Sequence, residues 1–344
     1  MKGVEGRLMI TGITMGDPSG VGPEILLKAL VDKEKKNKPF VVFGGISVLE
    51  KSLKETGVDL ENRLRIVSYP EEISLLPGAV NLVDCGTLEA NNLKIGEASA
   101  ESGQAAYDAV DTAIKWAMEG AVDAVCTCPL NKEALKMAGI PFPGHTEIFS
   151  SLTKADKKAM LLFSEKLSVI HVTTHISLKD ALERLSKNRI LDAIELANEV
   201  MGTILGRVPK IAVAGVNPHA GENGLFGREE IEIIAPAVQS ARLRNIEVEG
   251  PVSPDTVFFR AANGEWDTVV AMYHDQGHIP MKILDFHGGV NITAGLPIVR
   301  TSVDHGTAFD IAWQNKANPQ SLLKALDIAE ILAARKIQTE TTEK

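Results

Sequence analysis

Short apolar segments alternate with helical segments along the whole chain, and this alternation constrains the fold more than any other feature. Apolar runs such as Phe40–Phe43 and Ala121–Cys126 have the length of buried strands, whereas Glu101–Glu119 repeats alanine every four residues on one helix face. Strands that alternate with helices indicate an α/β architecture with largely parallel sheets. The chain has 344 residues, which is long enough for two core-forming domains.

Histidines follow three of the predicted strands. The apolar segment Asp267–Tyr273 stops abruptly at His274, and two other predicted strands lead into His175 and His219. Because the carboxyl ends of parallel strands meet at one sheet edge, these imidazoles are expected to converge there. Imidazole is the commonest metal ligand, and three protein ligands with an open position describe a catalytic divalent-metal site. General acid–base catalysis by one of them is the competing use.

Further polar residues on the same stretch suit an anionic substrate. Lys282, Asn291 and Arg300 follow His274 and offer positive charge and hydrogen-bond donors. Asp255 lies in a proline-stiffened loop, where it is a candidate fourth ligand or a base. A plain turn-forming aspartate is the alternative for Asp255.

The loop Pro141–Glu147 is fixed by two prolines and a glycine ahead of a predicted helix. Backbone N–H groups at a helix start suit a phosphate or carboxylate, and His145 and Thr146 add side-chain donors. Thr146 could instead only cap the helix. The glycine-rich segment Met15–Glu24 has neither dinucleotide-binding nor P-loop spacing, so a tight βα turn and a direct ligand contact both stay open.

Composition excludes several classes of protein. A formal net charge of −9 argues against a nucleic-acid or anionic-membrane partner. No apolar run approaches the roughly 20 residues that span a bilayer. The three cysteines lack C-x-x-C spacing and fit a reducing compartment, so we expect a cytoplasmic protein.

The carboxyl-terminal motif gives the first likeness to known proteins. The segment His-Gly-Thr-Ala-Phe-Asp-Ile-Ala, with Ala-Asn-Pro after it, resembles the nucleotide-binding loop of the isocitrate and isopropylmalate dehydrogenase superfamily. The whole chain resembles the 4-hydroxythreonine-4-phosphate dehydrogenase (PdxA) family through MGDPSGVGPE, PLNKEAL, PFPGHTE, NPHAGENG, PVSPDT, YHDQGHIPMK, GVNITAGLP and RTSVDHGTAFDIA. This resemblance implies two α/β/α domains flanking a cleft, which we expect at residues 1–130 plus 301–344 and at 131–300.

The resemblance also implies an NAD-dependent enzyme that uses a divalent cation, Zn²⁺, Mg²⁺, Co²⁺ or Mn²⁺. It implies a homodimer whose active site is shared at the interface. The implied roles are metal binding by His175, His219 and His274; substrate binding by His145, Thr146, Lys282, Asn291 and Arg300; and cofactor binding by His305, Gly306, Thr307 and Asn318. From the chemistry we expect Asp255 and Lys282 to be catalytic, with Asp255 or a metal-bound water relay as the base.

Within the family, PLNKEAL, GVNPHAGENGLFG, HDQGHIPMK and TAFDIAW are similar to the branch that acts on 4-phospho-D-threonate or 4-phospho-D-erythronate. The expected reaction is oxidation of the C3 hydroxyl followed by decarboxylation to dihydroxyacetone phosphate and CO₂. One alternative is the 4-phosphohydroxy-L-threonine dehydrogenase of pyridoxal 5′-phosphate synthesis. A phosphate acyltransferase and a non-catalytic sugar-phosphate binding protein are more distant alternatives.

Overall fold

Helices and strands alternate along the chain in the computed structural model, which confirms the predicted α/β fold. The structure describes residues 8–60, 62–86, 88–286 and 288–342. The strands are β1 (Thr11–Thr14), β2 (Phe40–Gly44), β3 (Leu64–Val67), β4 (Val80–Asp84), β5 (Ala124–Thr127), β6 (Ala159–Phe163), β7 (Ser168–His171), β8 (Ile211–Ala214), β9 (Val248–Val252), β10 (Thr268–Ala271), β11 (Val290–Ala294) and β12 (Val299–Val303).

The helices connect these strands in sequence. They are α1 (Gly22–Leu30), α2 (Ile46–Thr56), α3 (Ala100–Met118), α4 (Lys132–Met137), α5 (His145–Leu152), α6 (Leu178–Glu183), α7 (Lys187–Leu205), α8 (Ala235–Arg242), α9 (Pro254–Ala262), α10 (His274–Leu284) and α11 (Gln320–Thr342). Short polar side chains begin several of them: Ser99 accepts a hydrogen bond from the Ser102 amide, and Asn131 accepts one from the Ala134 amide.

The first compact unit comprises residues 1–155 and 296–344. Its strands lie in the order β3-β4-β2-β1-β5-β12, and every pairing among them is parallel. Helix α3 packs against β1, β2 and β5 through the alanine face that its periodicity predicted, with Ala109 and Ala113 fully buried. All these strands therefore direct their carboxyl ends to the same edge of the sheet.

The second unit comprises residues 156–295. Its strands lie in the order β11-β6-β7-β10-β8-β9; β6 pairs antiparallel with β7 and β11, whereas β7, β10, β8 and β9 run parallel. The parallel strands β7, β10 and β8 are the three that precede His175, His274 and His219, so their carboxyl ends share one edge.

The observed units differ from the expected domain limits in two segments. Residues 131–155 and 296–300 belong to the first unit rather than the second. The physical reason is burial: Phe149 in α5 and Ile298 before β12 both lie in the apolar core beneath α3.

Residues 177–205 form two helices, since Ser177 and Ser186 each cap a separate start. Thr301–Val303 lies in the buried strand β12. One local expectation was wrong. Asp255, expected in a stiff loop, lies in the first turn of α9, which Pro254 begins.

Within the described residues, no helix is both long and apolar enough to cross a lipid bilayer. Cys85, Cys126 and Cys128 are free thiols, and burial raises the pKa of Cys126 to about 12, so this thiol is unreactive.

Candidate active site

Two of the three strand-end histidines lie side by side in the second unit. β7 and β10 pair in parallel, and the chain beyond each strand carries His175 and His274 to the same edge. The hydroxyl of Thr173 donates to the carbonyl of Met272 at 2.8 Å and joins the two loops. The ring centroids of His175 and His274 are 5.5 Å apart.

A cavity of about 240 Å³ opens at this edge. It is lined by Thr173, Thr174, His175, Tyr273, His274 and Asp275, with apolar side chains of α6 on one side. Nδ1 of His274 lies 2.7 Å from Oδ1 of Asp275, so this carboxylate orients the ring and leaves Nε2 of His274 as the potential ligand atom. The donor set suits a divalent cation.

His219 stands on an unusual backbone segment beyond β8. Residues 219–223 all have positive φ, between 42° and 81°, in the helical turn Pro218–Gly224. Left-handed conformations normally occur as single residues, because each costs a non-glycine residue about 1–2 kcal/mol. A run of residues in this strained backbone conformation is typical of functional segments.

A buried carboxylate holds this left-handed segment. Glu230 is 2% exposed, and its Oε1 accepts hydrogen bonds from the amides of Val216 at 2.8 Å and Asn217 at 2.7 Å. Its Oε2 accepts a further bond from the side-chain amide of Asn217 at 3.0 Å. Glu230 itself lies in a single π-helical turn, a feature common near functional sites.

His219 and Asp255 are electrostatic neighbours. A hydrogen bond from Ser253 is the main cause that lowers the pKa of Asp255, and the charge of His219 adds to it. Asp255 is therefore an ionised carboxylate near neutral pH. Across the part of the chain that the structure describes, no three His, Cys, Asp or Glu side chains form a group that could hold a metal ion. The three-histidine site stays a prediction, with His175 and His274 together in the cavity.

Lys282 and Asn291 lie in the same unit. Nζ of Lys282, in the last turn of α10, lies 5.1 Å from the ring centroid of Phe286. The side-chain nitrogen of Asn291 contacts the sulfur of Met160 at 3.3 Å. Oδ1 of Asn291 is buried and, among the described protein atoms, has no hydrogen-bond partner. A buried orphan acceptor of this kind is a candidate ligand contact.

His145, Thr146 and Arg300 come together in the first unit. Arg300 on β12 is 2% exposed; its Nη2 donates to Oγ1 of Thr127 at 2.8 Å, and its guanidinium lies 5.5 Å from the Phe149 ring centroid. Burial lowers the pKa of Arg300 to about 10, so it stays a cation at neutral pH.

The imidazole of His145 is neutral at physiological pH. Burial lowers its pKa well below the ordinary value, and the nearby charge of Arg300 lowers it further. Its Nε2 atom is buried and, among the described protein atoms, has no hydrogen-bond partner. Gly144 is the N-cap of α5, so Thr146 in the first helical turn does not cap the helix. The cluster can receive an anionic group.

The predicted cofactor loop follows β12 and packs on the glycine-rich loop after β1. The Val21 amide donates to the carbonyl of Thr307 at 3.0 Å, and a Cβ on Gly20 would lie 2.7 Å from that oxygen. Gly20 is thus required by the close approach of the two loops. His305 is exposed, a Cβ on Gly306 would meet open space, and Oδ1 of Asn318 accepts from the Gln320 amide at 2.9 Å.

Sequence reasoning missed the roles of Glu230 and His278. The ring of His278 stacks on that of His274, with centroids 3.6 Å apart. The i, i+4 spacing of these histidines was the available signal, but it needs α10 to begin at His274. His287 lies outside the described residues.

Known proteins with similar sequences and structures agree on the class. A D-threonate 4-phosphate dehydrogenase of Pectobacterium atrosepticum is 48% identical over 324 residues, which cover 94% of this chain and 99% of that protein. A 4-hydroxythreonine-4-phosphate dehydrogenase of Desulforapulum autotrophicum is 45% identical, covering 94% of this chain and 95% of its own length. The crystal structure of a 4-hydroxythreonine-4-phosphate dehydrogenase from Klebsiella pneumoniae superposes with a TM-score of 0.84 at 48% identity, covering 95% and 98% of the two chains.

The fold, the polar strand ends and these relatives define an oxidoreductase of the dehydrogenase class. Residues 35–329 match the family described as pyridoxal phosphate biosynthetic protein PdxA, and the chain belongs to that family.

Proposed function

We propose that this enzyme oxidises the C3 hydroxyl of 4-phospho-D-threonate, or of 4-phospho-D-erythronate, with NAD and a divalent metal. The hydroxyl loses its proton to a base and C3 loses a hydride to NAD⁺. The resulting β-keto acid loses CO₂, and protonation of C2 gives dihydroxyacetone phosphate. Support for this substrate comes from the motifs of the sugar-acid branch and from several relatives at 48% identity that carry the D-threonate name.

The observation that carries the proposal is the His175–His274 pair beside the cavity, with Asp275 fixing the tautomer of His274. His175, His219 and His274 would hold the metal. When bound, a divalent ion supplies Lewis-acid stabilisation of negative charge on substrate oxygens, which favours both the oxidation and the loss of CO₂.

The anionic ends of the substrate require matching cations and donors. In the first unit, Arg300 and His145 offer a buried guanidinium beside a neutral imidazole, with Thr146 next to them. In the second unit, Lys282 offers an ammonium and Asn291 an amide with a buried oxygen. The substrate carries a phosphate and a carboxylate, and each of these anionic groups can bind a set of cations and donors of this kind.

Asp255 is the proposed base, and it is ionised and therefore able to accept a proton. Lys282 would assist by stabilising charge on the substrate. His305, Gly306, Thr307 and Asn318 would bind NAD in the loop after β12. The free, mostly buried cysteines fit action in the cytoplasm.

The proposal includes a homodimer. Helix α10 exposes Ile279 and Ile283 at 56% and 78% on one face, and Phe286 just beyond the helix is 65% exposed. A second copy of the chain that covers this apolar face would bring its own side chains close to His274 and Lys282.

A substrate panel tests the proposed function. Purified enzyme with NAD is supplied with 4-phospho-D-threonate, 4-phospho-D-erythronate or 4-phosphohydroxy-L-threonine, and NADH absorbance and dihydroxyacetone phosphate are followed. We expect the phosphorylated aldonates to react and a chelator to stop the reaction. Faster turnover of 4-phosphohydroxy-L-threonine would favour the alternative pathway. Binding without NADH from any substrate would contradict a dehydrogenase and favour acyl transfer or sensing.

A further inference from the structure

The imidazoles of His171, His278 and His274 form a continuous chain in the second unit, although only His274 has a role in the proposed function. His171 is 1% exposed in the interior of β7, and its Nδ1 lies 3.2 Å from the carbonyl oxygen of Met160. A carbonyl oxygen only accepts, so Nδ1 of His171 carries the hydrogen. Burial lowers the pKa of His171 to about 3, so the ring is neutral and its Nε2 is a bare acceptor.

This acceptor determines the tautomer of the next ring. Nδ1 of His278 lies 3.1 Å from Nε2 of His171 and 3.2 Å from the carbonyl of His274. Both partners only accept, so Nδ1 of His278 donates to them.

The third ring is held from two sides. The His278 ring lies nearly parallel to the His274 ring, with an interplanar angle of 11° and centroids 3.6 Å apart. Asp275 accepts from Nδ1 of His274. Because His278 stacks on one face of the His274 ring and Asp275 bonds one edge of it, the ring is held in a single orientation.

We propose that His171 and His278 are positioning residues that fix the plane of the His274 ring, whose tautomer Asp275 sets. The role of His274 as a metal ligand comes from the proposed function, and this part of the inference rests on it. The hydrogen-bond chain itself does not depend on the metal. Because the His278 and His274 rings are nearly parallel, their nitrogen lone pairs do not converge on one point. His278 is therefore not a second ligand for the same metal ion.

Gly277 shows how closely α10 must approach β7. A Cβ at this position would lie 2.5 Å from Nε2 of His171 and 2.6 Å from Cγ1 of Val169. Alanine at 277 would therefore displace the imidazole of His171 or the helix. The glycine permits the direct contact between His171 and His278.

Nuclear magnetic resonance of the full chain, labelled with ¹⁵N-histidine and free of metal, tests the hydrogen-bond chain directly. Two-bond nitrogen–hydrogen correlations should show His171, His278 and His274 as Nδ1–H tautomers at neutral pH. An Nε2–H tautomer at His278 would overturn the proposal, whether or not the enzyme binds metal. The signals are assigned with single-histidine variants.

Substitutions at His278 then separate the stack from the hydrogen bond. His278→Leu removes both and should weaken Zn²⁺ binding by about 10–100-fold, the usual effect of losing a partner that orients a ligand. His278→Phe keeps a stacking ring and should lie between Leu and wild type. In both variants we expect His274 to keep the Nδ1–H tautomer that Asp275 sets, while thermal stability changes little. Wild-type Zn²⁺ affinity in His278→Leu would refute the positioning role, whereas no Zn²⁺ binding in wild type would refute the proposed function alone.

Discussion

Replacing Glu230 with glutamine should release the left-handed segment that carries His219, although the two side chains have nearly the same shape. Both carboxylate oxygens of Glu230 face donors: the amides of Val216 and Asn217 on one, and the side-chain amide of Asn217 on the other. Glutamine keeps one acceptor and presents a donor at the other position.

The magnitude follows from these contacts. A hydrogen bond to a charged group contributes about 1.5–3 kcal/mol and a neutral one about 0.5–1.5 kcal/mol, so two weakened backbone bonds lose about 2 kcal/mol. The donor placed against the side chain of Asn217 adds up to about 2 kcal/mol more. A total of about 2–4 kcal/mol corresponds to roughly 30- to 700-fold in a local opening equilibrium.

Amide hydrogen exchange reports this opening at Val216 and Asn217. In Glu230→Gln we expect their exchange to accelerate by that factor, while strand β8 stays protected. The matched control is Glu229→Gln: Glu229 is partly exposed, and its Oε2 accepts from the Asn217 side chain at 2.6 Å but not from the amides of Val216 and Asn217 that bind Glu230. The Glu229→Gln substitution should change the free energy of this local opening by less than about 1 kcal/mol. Unchanged exchange at Val216 and Asn217 in Glu230→Gln would refute the reasoning.

Three further predictions concern other parts of the molecule. Burial raises the pKa of Asp17 from 3.8 to about 6. At a pH between these two values, Asp17 is therefore protonated in the folded chain and ionised in the unfolded chain. Stability should fall as pH rises from about 4 to 6, and Asp17→Asn should remove about 3 kcal/mol of this dependence, measured by urea unfolding at each pH. Arg300→Lys loses the planar fork and the stack on Phe149, and should lower kcat/KM at least about tenfold with little change in melting temperature. Ile283→Asp should dissociate the proposed homodimer, as measured by light scattering. The control Leu243→Asp, at a side chain that is 80% exposed, should leave it intact.

Each of these has a contrary outcome. The Asp17 account fails if the wild type and Asp17→Asn show the same pH dependence of unfolding. Full activity of Arg300→Lys would remove the guanidinium from substrate binding. A dimer that survives Ile283→Asp at micromolar concentration would exclude the α10 face as the subunit interface.

The sequence predicted the strands and their polar ends because both depend on local pattern. Apolar runs of strand length ended where β7, β8 and β10 end, and the parallel order of these strands brings His175 and His274 together. The alanine periodicity of α3 was likewise a local signal.

Other features depend on contacts that are distant in sequence. Thr301 and Ser302 are polar, but their hydroxyls donate to the carbonyls of Ala325 and Thr127, so strand β12 buries them with these groups hydrogen-bonded. The left-handed conformation at His219 depends on Glu230 across a turn, which no local pattern shows. Asp255 was misplaced because Pro254 suits a helix start as well as a loop.

Equilibrium titration of Zn²⁺ into the metal-free protein is the most direct measurement of the central idea, that imidazoles from separate strand ends share a catalytic cation. We expect a single site per chain, weakened at least roughly 100-fold by His175→Ala, His219→Ala or His274→Ala, and unaffected by His305→Ala. Wild-type affinity in all three variants, or no Zn²⁺ binding by the wild-type protein, would contradict it.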